Sequence, residues 1–225
     1  MSKNKSTKFA EIANFSNVFQ DIGKSSPQLQ GIDGEVDYKG KWHTYFQNEN
    51  PLVLELACGH GDYARNLAQL YPQKNYIGVD IKGNRIWSGA TRAQKAELAQ
   101  VAFIRTQIEH LPSFFAPQEV SEIWITFPDP QPKRARKRLT HPKFLAKYRQ
   151  ILAKNGVVHL KTDSELLYNF TMEVTENEPN IEVLQAHNDI YQLATLPDTL
   201  TIQTKYEKQH LANGLHIKYI QMRLV

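Results

Sequence analysis

Leu52-Val53-Leu54-Glu55-Leu56-Ala57-Cys58-Gly59-His60-Gly61-Asp62-Tyr63-Ala64 reads in one pass as a strand, a sharp turn and the opening of a helix. The apolar run over 52–57 suits a buried strand. Gly59 and Gly61 permit a tight turn and close approach of a ligand where a side chain would intrude. A helix is expected from about Asp62 to Leu70. Outward from this run the same alternation repeats. Strands are expected at 75–79, closed by Asp80, and at 101–105, 120–127 and 157–161. Apolar residues at helical spacing lie between them: Ile86, Ala90, Ala93 and Leu98, then Phe144, Leu145, Tyr148, Ile151 and Leu152, then Leu166, Leu167, Phe170 and Val174. Pro142 suits a first helical turn and Gly156 a helix stop. Two last strands are expected at 181–186 and 215–224, with a loop or short helix over 204–213. Strands alternating with helices imply a parallel α/β sheet, here with room for an antiparallel member in the late pair. Residues 1–50, rich in Ser, Asn, Gln, Lys and Gly, are read as a partly flexible arm with one short helix, and 51–225 as the main domain.

At 225 residues and 41% apolar content, one globular domain is the simplest organisation. A net charge of +4 is too mild to indicate nucleic acid by itself, so local concentration of charge matters more. Cys58 is the single cysteine, which excludes an intramolecular disulfide and fits a reducing cytoplasm. There is no run of 18 apolar residues, and Met1 to Lys8 is polar, unlike a signal sequence. A soluble cytoplasmic protein without a membrane partner is expected, and a monomer and a homodimer both fit.

A second stretch carries the chemistry. Glu122 to Leu139 reads E-I-W-I-T-F-P-D-P-Q-P-K-R-A-R-K-R-L. Pro128, Pro130 and Pro132 stop the strand abruptly, each fixing φ and removing a backbone donor. Asp129 is thereby held at the strand's carboxyl end, where open α/β sheets bind ligands. Lys133, Arg134, Arg136, Lys137 and Arg138 follow as a compact cationic run suited to phosphate. An acid at a sheet crevice beside a phosphate grip points to chemistry performed on a nucleic acid.

Gly59-His-Gly-Asp-Tyr-Ala64 also meets the dinucleotide form G-x-G-x-x-G/A, with Asp80 placed for ribose hydroxyls, so a nicotinamide or flavin enzyme competes. Glu55 and Asp62 argue against it, because both would repel a pyrophosphate seeking the helix N-terminus. S-adenosylmethionine (SAM) has no phosphate; Glu55 and Asp129 suit its ammonium and sulfonium, Asp80 its ribose diol, and the region of Gln107 and Ile108 its adenine. The acid-rich turn favours SAM.

The motifs E-L-A-C-G-H-G at 55–61, G-V-D at 78–80, F-P-D-P-x-P-K with its basic tail at 127–138, T-D at 162–163 and T-K-Y-E at 204–207 resemble the bacterial single-subunit tRNA (guanine-N7)-methyltransferases. The resemblance runs from about Leu52 to the C-terminus. It implies a class I SAM-dependent, Rossmann-like methyltransferase fold with a seven-stranded, mostly parallel sheet and one antiparallel strand. It also implies methylation of guanine 46 in the tRNA variable loop. By position, Glu55, Asp80 and Asp129 would be SAM-site residues, and Lys133, Asp163, Thr204, Lys205, Tyr206 and Glu207 tRNA-site residues. Ala57 departs from the family's frequent glycine, Gln131 replaces a common tryptophan, and Thr106, Gln107 or Glu109 could fill the position after the third strand, where Gln107 is chosen.

Guanine N7 carries an in-plane lone pair and no proton, so methylating it needs alignment and exclusion of water rather than a general base. Asp129 is the candidate catalytic residue, stabilising cationic charge by position. Asp163 and Glu207 could accept from guanine N1–H and the exocyclic amine, while Lys133 would hold phosphate. Each has a plainer alternative: a charge run is commonly a solvated face, and Asp163 could simply cap the next helix. His60 has no Cys or His cluster around it, so no metal site is expected. Cys58, Trp42, Trp87 and Tyr148 read as packing residues.

Overall fold

A computed structural model describes residues 4–23 and 26–225. Among the described residues ten strands form one sheet: β1 Val18–Asp21, β2 Leu29–Gly31, β3 Gly34–Val36, β4 Leu52–Leu56, β5 Asn75–Asp80, β6 Val101–Arg105, β7 Val120–Thr126, β8 Leu152–Thr162, β9 Ile181–His187 and β10 Lys218–Leu224. Their spatial order is β3-β2-β1-β6-β5-β4-β7-β8-β10-β9. From β6 through β8 every neighbour is parallel, and β10 runs antiparallel between β8 and β9. The stretch from β6 to β9 is the expected seven-stranded sheet with one antiparallel strand. The chain winds outward from β4 through β5 to β6, then returns to the other side of β4 as β7. That reversal is the switch point at which such sheets open a crevice.

Side chains alternate across the sheet, as the pleat requires. Leu52, Leu54 and Leu56 join one core layer with Phe144, Tyr148 and Leu167, under the helices Pro142–Arg149 and Glu165–Asn177. Val53 faces the other layer with Tyr63, Leu67, Ile86 and Phe103, under the helices Asp62–Leu70 and Gly83–Lys95. Every residue of β4 is buried because both faces are covered, which is why its sequence lacks a polar alternation.

The first 50 residues differ from the arm expected of them. Residues 1–3 and 24–25 lie outside the described residues. The remainder adds three strands to the sheet, β1 pairing parallel with β6 at Val18–Phe103 and Phe19–Ile104. Ile12, Val18, Phe19, Leu29 and Trp42 are core residues, and Trp42 donates its indole N–H to the Phe114 carbonyl at 3.0 Å. Polar composition concealed this because the burial is carried by a few widely spaced aromatic and aliphatic anchors. Trp42 and Tyr148 are packing residues as expected, the Tyr148 hydroxyl reaching the Leu139 carbonyl at 3.0 Å. β8 begins five residues earlier than expected, at Leu152, and runs through Gly156 rather than starting after it.

Candidate functional site

The site is built from the carboxyl ends of β4, β5, β6, β7 and β8. Gly61 has φ 62°, and a Cβ there would stand 2.4 Å from Phe103 Cε1, so only glycine fits. Gly59 is also left-handed, at φ 56°. Ala57 adopts φ 54°, a conformation that costs an L-residue roughly 1–2 kcal/mol. The family's frequent glycine would relieve that strain.

The donors of this turn are already committed to carboxylates. Glu55 is buried, and its Oε2 accepts from the Ala64 N–H at 2.8 Å while Oε1 accepts from Tyr63 N–H at 3.4 Å and the Thr126 hydroxyl at 3.2 Å. Asp80 Oδ2 accepts from the Gly59 N–H at 2.9 Å, and its Oδ1 from the Lys82 N–H at 2.8 Å. A pyrophosphate would need these same N–H groups and would meet two acids instead. The competing dinucleotide reading therefore fails at the turn itself. The donor set fits a cationic, phosphate-free ligand.

Burial pushes the Glu55 carboxyl up to about 8, against the pull of the Ala64 and Tyr63 N–H groups and with Asp62 raising it further. A raised folded pKa contributes stability that is fully present below the unfolded value near 4.5 and is lost as pH rises through 8. Stability of the ligand-free protein should thus fall across that window by on the order of 1 kcal/mol per pH unit. Urea unfolding at several pH values checks this, with Glu55→Gln expected to flatten the slope. Equal slopes in the two proteins would remove Glu55 as its source.

Beside Asp80 opens a cavity of about 320 Å³ lined by Ala57, Ile81, Thr106, Gln107, Ile108, Glu109, Gln131, Lys137, Leu139 and Phe144. Apolar walls with Asp80 at one end suit a nucleoside. All three candidates after β6 line it, but Thr106 donates its hydroxyl to Asp21 at 2.8 Å and Glu109 pairs with Lys143 at 3.4 Å. Gln107 alone of the three makes no side-chain hydrogen bond among the described residues, which leaves its amide available.

Asp129 sits in a turn outside that cavity wall and is exposed, with Oδ1 accepting from the Gln131 N–H at 2.9 Å. Phe127 and Gln131, both at φ 48°, bracket the turn. One correction concerns the basic run. Lys133, Arg134, Arg136 and Lys137 are exposed, but Arg138 is buried, donating from Nε to the Pro130 carbonyl at 3.1 Å and stacking 4.5 Å over Phe170. Arg138 braces the P-D-P turn and is closed to phosphate.

Asp163 does not cap the helix that follows. Ser164 does, its hydroxyl accepting from the Leu167 N–H at 3.2 Å. Asp163 is a quarter exposed and lies 3.5 Å from His210 Nδ1. His210 belongs to the helix Lys205–Ala212, formed where a loop or short helix was expected. Thr204 caps this helix, accepting from the Glu207 N–H at 3.1 Å. The helix is the second of the two alternatives expected there, and the T-x-x-E spacing of a capping box is the signal that favours it over a loop. Glu207 does not reach back as in a full box. It is completely buried, its Oε1 accepting from Lys161 at 2.8 Å and from the Tyr191 hydroxyl at 2.8 Å. Its Oε2 is closed from solvent and has no hydrogen-bond partner among the described residues. Glu207 is therefore not an open substrate contact. Lys161 was overlooked by sequence reasoning, although a lysine inside the apolar run V-V-H-L-K is itself a signal. Its ammonium also donates to the Leu200 and Ile202 carbonyls at 2.9 and 3.0 Å.

The sheet order, the acid-lined glycine turn and the adjoining nucleoside-sized cavity define a class I SAM-dependent methyltransferase. A family model described as "Putative methyltransferase" matches residues 49–220. The chain is 47% identical to the tRNA (guanine-N(7)-)-methyltransferase of Bacteroides fragilis over all of this chain and 87% of that one. It is 48% identical to that of Christiangramia forsetii, covering 99% of each. Among solved structures, the 16S rRNA methyltransferase KamB aligns with a TM-score of 0.65 at 11% identity, covering 92% of this chain and 99% of that chain, which supports the fold. The chain belongs to the tRNA (guanine-N7)-methyltransferase family.

Proposed function

We propose that this chain transfers the methyl group of SAM to N7 of a guanine in tRNA, at guanine 46 of the variable loop as the family resemblance implies. The observation that carries it is the meeting of Asp163 with the helix Lys205–Ala212 through His210 at 3.5 Å, the His210 ring stacking at 5.9 Å on Phe127 just before the P-D-P turn. These segments are far apart in sequence, and the Lys205 N–H, 3.4 Å from Asp62 Oδ2, ties the helix to the glycine turn.

Asp80 and Gln107 would hold SAM, with Gly59 and Gly61 allowing its approach and the buried Glu55 shaping the turn from behind through the Tyr63 and Ala64 N–H groups, and bound SAM would supply an electrophilic methyl group. Asp129 presents Oδ2 free of partners among the described residues, while Oδ1 is held by the Gln131 N–H. A fixed carboxylate there stabilises positive charge as it passes to the purine ring. Asp163 presents an acceptor to the guanine donor edge, and Thr204 to Glu207 form the wall beside it. Lys133 and its exposed neighbours hold phosphate. No side chain needs to remove a proton, since N7 has none. No helix of the described residues is long and apolar enough to cross a membrane.

Nucleoside analysis of tRNA after incubation with protein and labelled SAM tests the reading. The label should appear as 7-methylguanosine, and tRNA carrying 7-deazaguanosine at the target should bind without turning over. Methyl transfer to the 7-deaza substrate at that nucleotide would defeat the N7 assignment.

A further inference from the structure

The exposed basic run after β7 is not the only cationic surface at the cleft. Another forms on the opposite face of the sheet, where three helices meet around Asp62. Arg65 approaches Asp62 Oδ1 at 2.6 Å and Arg92 at 3.9 Å. Asp62 Oδ2 accepts from the Lys205 backbone N–H at 3.4 Å, which ties the glycine turn to the helix Lys205–Ala212. Arg85 lies 5.7 Å over the Tyr206 ring and reaches within 3.9 Å of the point where a Cβ on Gly59 would stand. Arg65 suffices to neutralise Asp62. Arg85, Arg92 and Lys205 carry further positive charge around this turn, whose other acid, Asp80, is held by the Gly59 and Lys82 N–H groups, and exposed Lys208 follows on the same helix. Arg92 is 56% exposed, so its charge faces solvent. The same positive field reaches His60, whose pKa is lowered by burial first and then by Arg85, Arg92 and Lys205, against Asp62.

We propose that Arg85, Arg92, Lys205 and Lys208 form a second phosphate-binding surface, which grips the tRNA backbone on the sheet face opposite the 133–137 run. This deepens the tRNA reading above and rests on it. A folded tRNA is a bulky polyanion whose target base must enter a cleft between the two surfaces. Phosphate contacts on both flanks set its register without reading sequence. Each cation that meets a phosphate releases counterions, so both surfaces contribute to the salt dependence of binding.

The test is tRNA binding by Arg85→Gln/Arg92→Gln, titrated at several salt concentrations, with SAM affinity and the unfolding midpoint measured on the same protein. Lys205 is left intact because it belongs to the segment beside the guanine. The expected result is about tenfold weaker tRNA binding and a log–log salt slope shallower by about one to two, with SAM affinity near wild type. Arg92→Glu, at an exposed position, should weaken tRNA binding more than Arg92→Gln. Unchanged affinity and slope in the folded double variant would overturn the proposal. So would parallel losses of SAM and tRNA affinity at an unchanged slope, which would assign Arg85 to the cofactor turn. Wild-type methylation of tRNA, run alongside, reads the proposed function separately: a failure there with the salt effect intact removes the guanine assignment and leaves this surface standing.

Discussion

Asp129→Asn is expected to lower the single-turnover rate of methyl transfer by about a hundredfold, while tRNA affinity stays within about threefold of wild type. The substitution isolates charge from shape. Asparagine keeps an oxygen that can accept from the Gln131 N–H, now at 2.9 Å, and Arg138 still braces the turn through the Pro130 carbonyl. What disappears is the negative charge at the place where the cationic methyl group is passed on. An effect confined to the rate is the signature of an interaction stronger in the transition state than in the ground state. Equal losses in rate and affinity would instead make Asp129 a binding residue. A rising pH limb in the wild-type rate that vanishes in Asp129→Asn would make it a proton acceptor.

The largest stability effect is expected at Lys161. Its ammonium is fully buried, held by Glu207 at 2.8 Å and by the Leu200 and Ile202 carbonyls. Burial pulls its pKa down to about 8, and Glu207 opposes that pull. Lys161→Met would leave the Glu207 carboxylate without its cation and two carbonyls without a donor. Removing one partner of a buried ion pair costs about 3–5 kcal/mol. Urea unfolding should show that loss, and Lys161→Met/Glu207→Gln should recover part of it by removing the uncompensated charge. A cost below about 1 kcal/mol for the single substitution would mean that the pair contributes little. Activity offers a second reading, because the pair fixes the segment 198–207 against the end of β8, next to Asp163. A folded Lys161→Met protein assayed at low temperature should therefore lose affinity for tRNA more than for SAM.

The parallel sheet, the glycine turn at Gly59 to Gly61 and the acid-ended strands were legible in the sequence because each is written in adjacent residues. A buried strand is a short apolar run, a turn that admits only glycine is marked by glycine, and proline stops a strand where it stands. Sequence also placed Asp80, Asp129 and Asp163 at strand ends. Tertiary structure decided what each acid does there. Asp163 stands free of helix capping because Ser164 takes that role, and Glu55 is turned onto the N-terminus of its own following helix. Glu207 is drawn inward by Lys161, a residue 46 positions earlier in the chain. Arg138 left the phosphate grip for the Pro130 carbonyl and the Phe170 ring. The N-terminal strands were hidden for the same reason, since β1 is stabilised by pairing with β6, 85 residues further along the chain, rather than by its own composition. Local sequence specifies backbone geometry through φ, ψ and periodicity. The partner of a buried charge, and the edge on which a weak strand pairs, depend on which distant groups the closed sheet brings within hydrogen-bonding distance.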